Sequence, residues 1–167
     1  MYRLFGFLLI AIFISACGYK PSAHYAKEIL GEHIHVEVEI SRKDPKNSVL
    51  IKDAVNESVI TRLGGKLSSK EKADAELYVK IGSTSFVPIL YDQDGYVVSY
   101  KATVLLNIKY VTKEGKTESF STSGEYDFPI EANSIISDTN RFLAIKFASL
   151  DALNEFVSKI SMNGMKK

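Results

Sequence analysis

The sequence predicts an α/β fold of the α+β kind. It is a two-layer sandwich in which a mixed four-stranded sheet carries two helices on one face, in the order βαβββα. Three observations lead there. Residues 33–40 alternate strictly between polar and apolar, the period of a half-buried strand. Three more alternating runs follow between residues 75 and 126, separated by short turns that contain glycine. Two other stretches repeat their apolar residues at helical spacing. Helices with one apolar stripe must bury it against another layer. A chain that is 46% hydrophobic and 11% aromatic can build that layer and is not disordered.

The first sixteen residues stand apart. Arg3 is their one cation, they hold no acid, and residues 4–14 are apolar except for Gly6. A short positive start and an apolar run too brief to span a bilayer are the marks of a signal peptide. Ile14-Ser15-Ala16-Cys17 then resembles a bacterial lipobox, in which small residues fit the peptidase and the cysteine thiol receives the lipid. The expected organisation is a lipoprotein signal peptide over 1–16, a lipidated N-terminus and tether over 17–31, one domain over 32–161 and a tail over 162–167. Acylation would consume the thiol of Cys17, the only cysteine, which leaves no internal disulfide and no multi-thiolate metal site. Without residues 1–16 the chain has 20 basic and 20 acidic residues, so it has no basic footprint for nucleic acid.

In the first strand Ile34, Val36, Val38 and Ile40 share one face. Residues 41–46, with Pro45, break it. Asn47 or Ser48 can cap a helix whose stripe is Ile51, Val55, Val59 and Leu63, and Gly64-Gly65 is a fitting stop. The second strand, residues 75–87, places Leu77, Val79 and Ile81 inward. Asp92-Gln93-Asp94-Gly95 turns the chain into a long third strand, 96–111, with Val98 to Tyr110 in phase. Residues 113–116 turn it again into a Ser- and Thr-rich fourth strand, 117–126. The last helix starts near Asp138 or Thr139 and shares Phe142, Ile145, Ser149, Ala152, Leu153, Phe156 and Ile160 along one face. A right-handed crossover through the first helix makes strands one and two parallel; the remaining three form a meander. Leu77, Val79, Val104, Leu106, Phe156 and Ile160 are the expected core.

Little in this pattern carries chemistry. His33 and His35 point the same way and could hold two corners of a metal site, but polar residues on the solvated face of a strand suffice to explain them. Asp92 and Asp94 read as turn residues. No zinc-protease motif, phosphate loop or nucleophile elbow is present. The expectation is a non-enzymatic protein with neither cofactor nor metal.

The long hairpin is more informative. At about 3.3 Å per residue, sixteen residues reach roughly 50 Å, beyond the usual strand. Around its tip lie Phe86, Val87, Ile89, Leu90, Tyr91 and Tyr96. Either this apolar tip meets a partner or lipid, or it folds back onto the domain. The sheet face away from the helices mixes Tyr78, Lys80, Val97, Ser99, Lys101, Thr103, Leu105, Asn107 and Lys109. That suits an interface or a phosphate-bearing amphiphile as well as simple solvation.

The whole pattern resembles the LptE family of lipopolysaccharide (LPS) assembly lipoproteins. The resemblance lies in Cys17-Gly18-Tyr19 after the lipobox and in the element order. It lies also in Ala73-Asp74-Ala75-Glu76-Leu77 before a hydrophobic strand, and in Gly95-Tyr96-Val97-Val98-Ser99-Tyr100-Lys101 opening the long one. It implies a protein held in the outer membrane by acyl chains on Cys17, facing the periplasm and the barrel lumen. There it would plug the LptD β-barrel, assist its assembly and contact LPS. Basic residues implicated in LPS contact in some members sit near the hairpin tip and before the last helix. Here the tip is acidic, so Lys101, Arg141 and Lys146 are the nearest basic candidates, with Tyr91 and Tyr96 as candidate partner contacts. An accessory or pilot lipoprotein of a secretion or motility machine, or a periplasmic lipid-binding module, would fit the residues too.

Overall fold

The computed structural model describes residues 22–39, 45–132 and 134–164. Its sheet has five strands in the order β2-β1-β3-β4-β5. They are β1 (His33–Val38), β2 (Lys66–Leu67), β3 (Ala75–Tyr91), β4 (Val97–Thr112) and β5 (Thr117–Pro129). β1 pairs parallel to both β2 and β3, and β3-β4-β5 is an antiparallel meander. The helices are α1 (Ser22–Leu30), α2 (Pro45–Thr61) and α3 (Asp138–Gly164). The mixed α+β class and the parallel crossover through α2 are as expected from the sequence. The counts are not: the described residues form five strands and three α-helices, against an expected four and two.

The added strand is a two-residue extension that exists only because β1 lies beside it. The added helix, α1, occupies part of the stretch read as tether. Ala26 and Leu30 of α1 are almost wholly buried, and the Tyr25 backbone lies against Gly164 at the end of α3. A nine-residue helix is marginal in isolation, so this packing is what holds it.

Helix α2 buries Ile51, Val55 and Val59, with Leu63 just beyond its end. Gly64 then adopts φ 62°, the left-handed turn that ends a helix without strain. Ser137 accepts the Asn140 N–H at 3.2 Å and so caps α3. All six expected core residues are at most 1% exposed.

β3 breaks the simple alternation near its tip, with register shifts between Pro88 and Leu90 and between Leu90 and Tyr91, and once in its middle. A register shift between Ile81 and Ser83 makes Gly82 an extra residue opposite β4. Leu77, Val79 and Ile81 face the helices below it. Above it the phase inverts: Thr84 pairs with Val104 and Phe86 with Ala102, both buried β4 residues. Such a bulge bends and twists the strand, here where β3 leaves the protection of β1.

At the opposite side, α3 closes the β5 edge. Gly124 brings the two backbones together, because a Cβ there would lie 2.0 Å from the Ala148 carbonyl oxygen. From that contact three side chains spaced by four residues reach the strand backbone. Asp151 accepts the Glu125 N–H at 3.1 Å, and Glu155 accepts the Ser123 N–H at 2.8 Å. Lys159 donates to the Ser121 carbonyl at 2.9 Å. An open strand edge invites pairing with other chains; this one is capped.

Candidate interaction surface

The hairpin tip is built by Asp92. Its carboxylate accepts the N–H groups of Asp94 at 3.0 Å and Tyr96 at 2.8 Å, while Gly95 takes φ 84°. Asp92 is thus a turn residue, as its position suggests. Below the tip, Phe86 meets Phe128 edge to face, with ring centroids 6.1 Å apart, and the Arg141 guanidinium lies 4.8 Å above the Phe86 ring. Beyond that point apolar side chains stand in solvent. Val87, Leu90, Tyr91 and Tyr96 are 53%, 57%, 56% and 47% exposed. Of the two alternatives for the tip, folding back is excluded; it projects.

The uncovered sheet face is polar and internally paired. Lys101 approaches Glu125 at 2.6 Å and Asp127 at 4.0 Å, and the Glu125 carboxylate holds its ammonium above the ordinary lysine range. Lys80 pairs with Glu39 at 2.9 Å. Near the middle a cavity of about 550 Å³ opens between Tyr78, Lys80, Asn107, Lys109, Ser119 and Ser121, with Glu37 and Glu39 at its side. Of the two lysines lining the cavity, Lys109 has no ion-pair partner among the described residues, whereas Lys80 has one, so Lys109 is the one open to an anion. Its position on the uncovered face was legible in the alternation; the absence of an ion pair to the carboxylates of the cavity was not.

The five candidate residues do not converge. Tyr91 and Tyr96 share the tip. Lys101 lies on the uncovered face, whereas Lys146 lies in the helical layer and ties α3 to α2 through Glu57 at 3.0 Å. Arg141 is near the tip but on the helical side, over Phe86. Cys17 falls outside the described residues. The histidines also act separately: His33 Nδ1 is 3.3 Å from Asp74, and His35 Nδ1 is 3.1 Å from the Ser68 carbonyl. No described helix is long and apolar enough to cross a membrane.

Residues 35–160 match the family model described as LptE, Lipopolysaccharide-assembly. The chain belongs to the LptE family. Its role is therefore non-enzymatic, in LPS assembly. Among solved structures it is similar to rare lipoprotein B from Shewanella oneidensis, at 9% identity and a TM-score of 0.51, covering 81% of this chain and 98% of that one. A protein from Xanthomonas campestris is similar at 10% identity and a TM-score of 0.53, covering 81% and 86%. At such identities the likeness concerns the fold alone. No curated protein matches the sequence significantly. The helices cover one face of the sheet, and the projecting tip and the other sheet face stay open.

Proposed function

We propose that this LptE-family chain is an outer-membrane lipoprotein, acylated at Cys17, that plugs an LptD-type β-barrel and contacts LPS on its way to the outer leaflet. The observation that carries the reading is the exposed cluster of Val87, Leu90, Tyr91 and Tyr96 at the end of a long two-stranded arm. Solvation does not require so much apolar surface on a loop, whereas a protein interface is built around aromatic anchors. Tyr91 and Tyr96 are the proposed barrel contacts.

Lys101, Arg141 and Lys146 are the proposed basic contributions toward LPS phosphates. Two of them would exchange a carboxylate partner for a phosphate. An exposed ion pair contributes at most about 1 kcal/mol, so a phosphate can compete for the ammonium. Non-catalytic contact of this kind needs no cofactor.

The test is isolation of the full-length lipidated protein from membranes with identification of what remains bound. Stoichiometric recovery of the LPS-translocon barrel is the expected result. A secretin ring in its place would move the protein to another envelope machine, and recovery of lipid without any barrel would make it a lipid-binding module.

A further inference from the structure

The two outer edges of the upper sheet are treated in opposite ways. On the β5 side, Asp151, Glu155 and Lys159 occupy the outward backbone groups of Glu125, Ser123 and Ser121. On the β3 side, among the described residues, β1 accompanies β3 only from Ala75 to Val79, with one further bond from the Glu39 N–H to the Val79 carbonyl at 2.9 Å. β3 continues to Tyr91.

The direction of each backbone group follows from the register. Because Ser123 and Glu125 point their N–H groups away from β4, their β4 partners Leu105 and Thr103 point theirs toward β3. Those two residues face Ser83 and Ser85, which therefore spend their backbone groups on β4. By alternation, Thr84, Phe86 and Pro88 turn theirs to the open side. Val79, whose carbonyl reaches β1, obeys the same parity below the bulge. Pro88 agrees as well, since proline is tolerated in a strand where its missing N–H would face outward.

Nothing described bonds the outward groups of Thr84 and Phe86. Residues 81–91 contain no charged side chain at all, although charge is the common protection of an edge. We infer that the upper edge of β3 is a β-augmentation site, which adds an extended strand of the barrel partner to the sheet at Thr84 and Phe86. This rests on the barrel reading above. An extended polypeptide is the ligand that satisfies paired outward N–H and C=O groups in register. The site also adjoins the exposed Val87, Leu90 and Tyr91, the cluster already given to that partner; Leu90 and Tyr91 lie past the register shift that follows Pro88. Pro88 offers a carbonyl but no donor, so it ends the ladder toward the tip.

Amide hydrogen exchange on the full-length protein, alone and in complex with the co-expressed LptD-type barrel, tests this. Alone, the Thr84 and Phe86 amides should exchange fast while those of Ser83 and Ser85 are protected. In the complex, Thr84 and Phe86 should slow by about tenfold or more. Thr84→Pro removes the outward donor and leaves the bonds to β4, so it should weaken barrel capture about tenfold while keeping the melting transition. A complex in which Thr84 and Phe86 still exchange fast overturns strand addition and leaves the barrel reading intact. Failure to form any complex overturns both. Slow exchange in the monomeric protein would show the edge closed by its own chain, and slow exchange that depends on protein concentration would assign it to a second copy; either result rejects the proposal.

Discussion

Gly124 rests directly on Ala148: a Cβ on the glycine would stand 2.0 Å from the Ala148 carbonyl oxygen and 2.2 Å from the Ala152 nitrogen. Both obstacles are helix backbone and cannot rotate aside. Gly124→Ala must therefore push α3 away from β5. Overpacking of this kind costs about 1–3 kcal/mol or more, measurable as a lower urea midpoint. The displacement should also loosen the Asp151 and Glu155 contacts, so the Ser123 and Glu125 amides should exchange faster than in the parent.

Asp74 locks the base of the domain. It accepts the N–H groups of Glu32 at 3.0 Å and His33 at 2.8 Å, and these donors, His33 first, hold its carboxyl below the ordinary aspartate value. A carboxyl whose folded pKa is depressed stabilises the fold fully above its unfolded value of about 3.8. That contribution is lost as the pH falls through the lower folded value. Asp74→Asn cannot titrate, so its stability between about pH 5 and pH 2 should fall less steeply than the parent's. Parallel curves in denaturant titrations across that range would remove Asp74 from the acid response.

Tyr91→Ala combined with Tyr96→Ala should weaken capture of the barrel partner. Both rings are about half exposed, so the thermal midpoint of the isolated protein should stay within the small range typical of surface changes. Pull-down against a co-expressed LptD-type barrel reads the first effect and calorimetry the second.

Lys101→Glu should weaken LPS binding, because it places a carboxylate beside Glu125 and Asp127 and repels a phosphate. The difference from the parent should shrink as salt rises, since the contact is partly solvated. Equal LPS binding by the two proteins at low salt would shift attention to Lys109 and its cavity.

Cys17→Ser removes the thiol that would carry the lipid. The expected result is an unprocessed chain with altered membrane attachment, seen as retained residues 1–16 in intact-mass measurement. A parent protein whose mature form starts elsewhere and bears no lipid would overturn the anchoring scheme.

Much of the fold was legible in period alone. Val104, Leu106 and Ile108 alternate without interruption, and all three are buried. Ile51, Val55 and Val59 recur at helical spacing and are buried too. What escaped has physical reasons. Helix α1 offers only Ala26, Ile29 and Leu30 as a stripe, too short to distinguish from a tether before its partner α3 is known. The Gly82 bulge is written as a change of phase, from Leu77, Val79 and Ile81 to Thr84 and Phe86, which reads as irregularity until β4 fixes the register. The edge cap was invisible because Asp151, Glu155 and Lys159 bond to backbone, and backbone has no signature in sequence. For the candidate site, the apolar tip residues were readable from composition. Whether a lysine already had a carboxylate beside it was not, since Lys101 and Glu125 meet across a strand pair.

Helix α1 and the hairpin tip sit at opposite poles of the sheet. Leu30 and Gly31 adjoin Asp74, at the β3 end where Ala75 pairs with Thr112, while Tyr91 pairs with Val97 at the other end. The intervening ladder is about 50 Å long at the usual rise, and the hydrocarbon layer of a bilayer is about 30 Å deep. A molecule moored through the chain that enters α1 and standing upright in a barrel would therefore act as a depth gauge. Its base would stay at one leaflet while its aromatic tip reached the level of the other.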